Sequence, residues 1–174
     1  MERRLTAILV ADVVNFSRLM SKDEAGTLTA VKGLWNELFG PRVAEYRGRI
    51  VKLMGDGALV EFTSVVDAVG CAIVAQRDAA DRNSESAADK RIEMRIGINL
   101  GDVIIEGEDI YGDGVNVAAR LEKLAKPGGV ALSATAHEHA EGKVGAEFED
   151  GGEHVLKNIK KAIQVYFWSC TLTT

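Results

Sequence analysis

The chain has 174 residues, 47% of them hydrophobic and 27% charged, with a formal net charge of −5 at pH 7. That length supports one well-cored domain and falls short of two ordinary ones. The acidic balance disfavours a surface that grips polymeric nucleic acid by neutralising phosphates, and no apolar run reaches the roughly 20 residues of a membrane span. A small phosphate ligand bridged by metal stays compatible with these limits. Cys71 and Cys170 are far apart and make no metal or disulfide pattern, so a reducing, cytoplasmic setting is expected.

The first element, Leu5–Val14, is a short apolar run that carries Asp12 and lacks a small-residue cleavage site, so it reads as a buried strand ending on an acid and not as a signal peptide. Ser21 and Glu24 then have capping-box spacing and are expected to open one long amphipathic helix running towards Tyr46. On it Leu28, Val31, Leu34, Trp35, Leu38 and Phe39 fall at helical spacing, and Pro41 is expected to bend or break the last turn. Residues 49–62 read as two strands around the tight turn Gly55-Asp56-Gly57, and residues 64–83 as a second helix. A polar connection follows at 84–91.

Residues 92–107 return to strand alternation, with a turn or bulge expected at Gly101. Residues 115–125 form a helix stopped by Lys126-Pro127-Gly128-Gly129. Beyond it come a strand, a short helix and further strands. The order is not regular βα alternation; it fits an α+β sandwich with helices on one face of a mainly antiparallel sheet.

Asp12 and Asp56 are the first chemical candidates. In a ferredoxin-like arrangement their strands are neighbours, and two carboxylates converging with nothing obviously basic beside them attract a divalent cation. The glycines flanking Asp56 let backbone approach a ligand closely. The competing reading is an ordinary turn aspartate. Asn116 and Arg120 lie four apart on one helix face among small and apolar neighbours, which implies a helix packed on nearly all sides and a buried arginine seeking a phosphate or an internal carboxylate. His137, His139 and His154 are expected on a solvated face, since i,i+2 spacing points two rings apart on a helix. Trp35 and Trp168 are read as core or interface, and Met54 as packing.

The segments ILVADVVNFSRL, KLMGDGALVEF, MRIGINLGDV, DIYGDGVNVAARL and LKNIKKAIQVY, in this order over residues 4 to 168, resemble the class III adenylate/guanylate cyclase catalytic domain of adenylate cyclase type. The resemblance implies a ferredoxin-like βαββαβ core with extra C-terminal strands and a helix, filling residues 1–168 and leaving 169–174 as a tail. It implies a phosphorus–oxygen lyase that turns ATP into 3′,5′-cyclic AMP and pyrophosphate. Asp12 and Asp56 match the pair that binds two Mg²⁺ or Mn²⁺ ions, Lys52 and Asp109 the pair that reads the purine, Asn116 the ribose-orienting residue, and Arg120 the one that stabilises charge on the transferring phosphate. An ammonium donor and a carboxylate acceptor suit adenine and mismatch guanine.

In that family the sites are shared across a dimer, so six filled positions imply a symmetric homodimer and an inactive monomer. Asn15 stands where glycine is usual and is expected to keep left-handed geometry. The Gly101–Asp109 segment is short, which makes Glu108 a competitor for the role of Asp109. The rival expectations are a non-catalytic nucleotide-sensing or interaction domain and a guanylate cyclase; no GG-[DE]-[DE]-F signature supports a diguanylate cyclase. The chain ends six residues after Trp168, which suggests an excised domain or a very compact protein, with a regulatory module, fused or separate, as a partner.

Overall fold

The computed structural model describes residues 1–170. A single sheet of eight strands runs in the order β2-β3-β1-β4-β6-β8-β7, with β5 added to β4. Strands β1 (Glu2–Val13), β2 (Arg49–Met54), β3 (Gly57–Phe62) and β4 (Met94–Glu106) form the antiparallel βαββαβ core that the resemblance implies. Strand β6 (Gly129–Ser133) extends it in parallel with β4, and β8 (Ile163–Ser169) and β7 (Glu149–His154) complete it in antiparallel fashion.

The alternation of β1 decides what each face holds. Ala7, Leu9, Ala11 and Val13 point into the main core, which is closed by helices α2 (Glu24–Gly33), α3 (Gly40–Glu45), α4 (Val65–Ser84) and α6 (Ala134–Ala140). Ile8 points to the opposite face and meets Leu59, Val103 and Ala118, the last from helix α5 (Asp113–Leu124). Helices therefore cover both faces, contrary to the one-sided sandwich expected from element order. Gly97 permits this: a Cβ there would lie 2.3 Å from the Glu122 backbone nitrogen, so α5 rests directly on the β4 backbone. On the other face Gln76, 1% exposed, donates to the Met94 and Gly129 carbonyls at 2.9 Å and ties α4 to β4 and β6.

Several local expectations are corrected. Ser21 is not an N-cap; it lies inside α1 (Phe16–Lys22), its hydroxyl donating to the Arg18 carbonyl. The cap is Asp23, whose extended backbone breaks the expected single helix and whose carboxylate accepts from the Gly26 N–H at 3.0 Å. Leu34–Phe39 then widens into a π-helical stretch, with the Gly40 N–H bonded to the Trp35 carbonyl, and Pro41 falls in the first turn of α3, where its missing N–H costs little. Strand β4 runs unbroken through Gly101, opposite Thr6. Gly101 serves the approach of α5 instead, since a Cβ would sit 3.2 Å from the Gly114 Cα. Of the expected tail, residues 171–174 lie outside the described residues. Among the described residues no helix is long and apolar enough to cross a membrane.

Candidate active site

Asp12 and Asp56 meet at one end of the sheet. Asp12 is paired with Gly57 across the β1–β3 ladder, and the Val13 N–H donates to the Asp56 carbonyl at 2.7 Å. The turn is anchored from below: the Trp35 indole N–H donates to the Gly55 carbonyl at 3.0 Å. Both aspartates line a cleft of about 410 Å³ together with Asn15, Arg95, Glu122 and Lys123. Asn15 has φ 57° and ψ 34°, the left-handed geometry expected of it, and turns the chain from β1 into α1 around this cleft.

The expectation of two acids without basic neighbours is overturned here. The Lys123 ammonium lies 2.9 Å from Asp12 Oδ2 and 3.3 Å from Glu122 Oε2, and Arg95 stands opposite Asp12 in the β1–β4 ladder. Neither Lys123, Arg95 nor Glu122 was found by sequence reasoning. Arg95 shares strand parity with Gly97 and Asn99, which face α5, but its position beside Asp12 follows only from the β1–β4 register. The pair with Asp12 holds the Lys123 pKa above its usual value. Glu122 is 2% exposed, and burial pushes its carboxyl up to about 7, opposed by Lys123 and reinforced by Asp12.

The chemistry of the cleft fits a divalent cation. Asp12 Oδ1 is buried and has no hydrogen-bond partner, an anionic acceptor free for coordination, and Asp56 supplies a second carboxylate on the same cleft. No group of three or more candidate ligands occurs among the described residues. Two carboxylates on one cleft are a donor set of the kind that holds Mg²⁺ together with substrate phosphates.

Lys52 and Asp109 also come together, as a separate group. Lys52 Nζ lies 2.7 Å from Asp109 Oδ2 and 5.1 Å from the centroid of the Tyr111 ring. Asp109 opens β5 (Asp109–Tyr111) directly across from Glu106, after a two-residue turn with Gly107 at φ 62°. This short hairpin aims the carboxylate of Asp109 at Lys52, while Glu108 offers its backbone carbonyl to Arg49 at 2.8 Å. The ion pair raises the Lys52 pKa, and Lys52 followed by the Tyr111 hydroxyl lowers that of Asp109.

Asn116 and Arg120 share the outer face of α5, and neither lines the aspartate cleft. The helix is not packed on nearly all sides: Gly114, Ala118, Leu121 and Glu122 are buried, Asn116 is exposed and Arg120 is half-buried. Arg120 has no ion pair among the described residues, so the internal-carboxylate alternative does not apply within this chain.

Four side expectations also change or hold. His137 is buried, stacked on Tyr166 at 3.7 Å with Phe148 edge-on, because the α6 turn it occupies faces β8; His139 alone of the HEH pair is exposed. Met54 is 57% exposed and not the packed residue expected, since β2 is the sheet edge. Trp35 and Trp168 are core residues, and Cys71 and Cys170 are free thiols, that of Cys71 pushed up to about 12 by burial.

With this geometry in place, the chain can be set beside known proteins. The family described as "Adenylate and Guanylate cyclase catalytic domain" matches residues 3–169. "Putative adenylate cyclase 3" of Rhizobium meliloti is 48% identical over 167 residues, covering 96% of this chain and 28% of that protein. The chain thus spans just over a quarter of that relative's length. The crystal structure of an adenylate/guanylate cyclase/hydrolase from Silicibacter pomeroyi superposes with a TM-score of 0.92 at 41% identity, over 98% of this chain and 99% of that one. The adenylyl cyclase CyaB from P. aeruginosa shares the fold, with a TM-score of 0.80 at 24% identity over 99% of this chain and 98% of its own.

Proposed function

The chain belongs to the adenylate and guanylate cyclase catalytic domain family, and from that premise we propose that it is an adenylate cyclase, converting ATP to 3′,5′-cyclic AMP and pyrophosphate at sites shared by a homodimer. The observation that carries the choice of ATP is the Lys52–Asp109 contact of 2.7 Å. A donor and an acceptor held side by side match the ring N1 and 6-amino group of adenine. Guanine presents an N–H and an oxygen at those atoms and would leave both side chains unpaired. The name of the R. meliloti relative agrees with this choice.

Asp12 and Asp56 would hold two divalent ions, Mg²⁺ or Mn²⁺. Bound there, these ions would activate the ribose 3′-hydroxyl and neutralise the triphosphate. The remaining work falls to side chains. Arg120 carries five N–H donors with no internal partner among the described residues, a fork suited to the oxygens of the transferring phosphate. Asn116, one turn earlier on the same face, would fix the ribose.

Two features support a shared site. Within one chain Asp12 and Asp56 lie in one cleft, whereas Asn116 and Arg120 do not line it. Along the edge strand β2, Ile50, Leu53 and Met54 are 38%, 47% and 57% exposed, an apolar edge of the kind that partners cover.

The test is cyclic AMP formation by purified protein with Mg²⁺ and with Mn²⁺, alongside sedimentation. A dimer that forms no cyclic AMP would overturn the reading. Asp12→Ala and Arg120→Ala should each be inactive alone and should recover part of the activity when mixed, because one of the two mixed sites is then intact.

A further inference from the structure

We propose that Lys123 is an exchangeable counter-ion for Asp12: its ammonium holds the carboxylate until a divalent cation takes its place, so metal entry is a cation exchange that the triphosphate assists. The proposal rests on reading Asp12 as a metal carboxylate.

The geometry carries it. Lys123 Nζ lies 2.9 Å from Asp12 Oδ2 and 3.3 Å from Glu122 Oε2. A metal ion bonded to Asp12 would sit at roughly 2.1 Å from a carboxylate oxygen. One ion can take the unpartnered Oδ1, but two ions on Asp12 need Oδ2 as well, and two cations cannot share that oxygen without strong repulsion, so the ammonium must leave. It is free to do so: the Lys123 side chain is 59% exposed on a flexible four-carbon stem, while that of Glu122 is 2% exposed and stays in place.

The direction of departure is also constrained. Lys123 follows Asn116 and Arg120 at seven- and three-residue spacing on α5, so the three lie on one helical stripe. A displaced ammonium therefore moves along a face already carrying the Arg120 cation, and the attractive destination is an anionic ligand. Arg95, whose buried Nε has no hydrogen-bond partner, stands opposite Asp12 in the ladder and adds positive charge to the same cleft. Two chain cations beside one metal carboxylate weaken metal binding without nucleotide. A triphosphate reverses this by giving Lys123 a new partner as the metal arrives.

The experiment is Mn²⁺ titration of the nucleotide-free protein, followed by electron paramagnetic resonance, for wild type, Lys123→Met, Lys123→Gln, Lys123→Arg and Asp12→Asn, with circular dichroism to confirm folding. Both neutral Lys123 variants should bind Mn²⁺ about fivefold more tightly, the size expected when an exposed ion pair of ordinary strength stops competing. Lys123→Arg should stay near wild type. Adding a non-cyclisable ATP analogue should tighten Mn²⁺ binding more in wild type than in Lys123→Met. Unchanged or weaker Mn²⁺ affinity in both neutral variants would refute the exchange while Asp12→Asn still loses the metal. Full Mn²⁺ binding by Asp12→Asn would instead overturn the metal assignment itself, and the exchange with it.

Discussion

Replacing Glu122 by glutamine removes a buried carboxyl whose protonation is tied to folding. Its pKa, ordinarily 4.5, is pushed up to about 7, burial outweighing the pull of Lys123. Between those two values the folded chain keeps a proton that the unfolded chain has released, so this group costs stability progressively as pH rises through the window. The full displacement corresponds to about 3 kcal/mol, and between pH 5 and pH 8 to about 2 kcal/mol. Near pH 5 Glu122→Gln should therefore stay close to wild type, because a protonated carboxyl and an amide are near equivalents and either can accept from the Lys123 ammonium 3.3 Å away. By pH 8 the difference should have shifted in favour of the variant by about 2 kcal/mol. Urea unfolding at closely spaced pH values measures this directly. A stability difference that stays constant from pH 5 to pH 8 would refute it, because the carboxyl would then titrate alike in both states.

Gly97→Ala should destabilise the fold by about 1–3 kcal/mol or more, since its Cβ would meet the Glu122 nitrogen at 2.3 Å and the Ala118 carbonyl at 2.5 Å, and backbone cannot yield as a side chain does; thermal unfolding reports the loss. Trp35→Phe removes the bond to the Gly55 carbonyl and should cost about 1 kcal/mol in urea unfolding, with faster amide exchange at Asp56 and Gly57 than elsewhere in the sheet. Lys52→Glu places like charges at the 2.7 Å contact with Asp109, so competition between ATP and GTP should show weakened selection for ATP, while Mn²⁺ binding by the same chain persists. Loss of Mn²⁺ binding as well would mean that the β2–β3 hairpin had unfolded.

Elements whose period matched their burial were legible in sequence. β1, the β2–β3 hairpin and α4 appear within a few residues of where their apolar patterns place them, β1 and β3 buried on both faces, β2 as a partly exposed edge and α4 along one stripe. The breaks were less legible, because they depend on which of several polar residues wins a backbone donor. Ser21 and Asp23 both precede an apolar run, and only the extended backbone at Asp23 brings its carboxylate to Gly26. The second layer of the sandwich was missed for a different reason: α5 looked apolar on all sides, yet its contact with β4 is made by glycine and alanine, which carry almost no hydrophobic signal. At the candidate site the motif residues Asp12, Asp56, Lys52 and Asp109 fell into the pairs anticipated. Lys123 and Arg95 did not announce themselves, since one arrives from a distant helix end and the other through the β1–β4 register.

The central position of β1 has a consequence for how the chain is made. Within this domain it is the first strand in chain order, yet its ladder partners on one edge are Gly57–Phe62 and on the other Met94–Ile105. At about 5–20 residues per second, translation takes roughly 5 to 20 s to pass from β1 to the end of β4. Throughout that interval the apolar run Ala7–Ala11 has at least one open edge. The strand that ends in a metal-binding candidate is thus a segment exposed to mispairing in the nascent chain, and a chaperone holding β1 until residue 105 emerges would protect fold and site together.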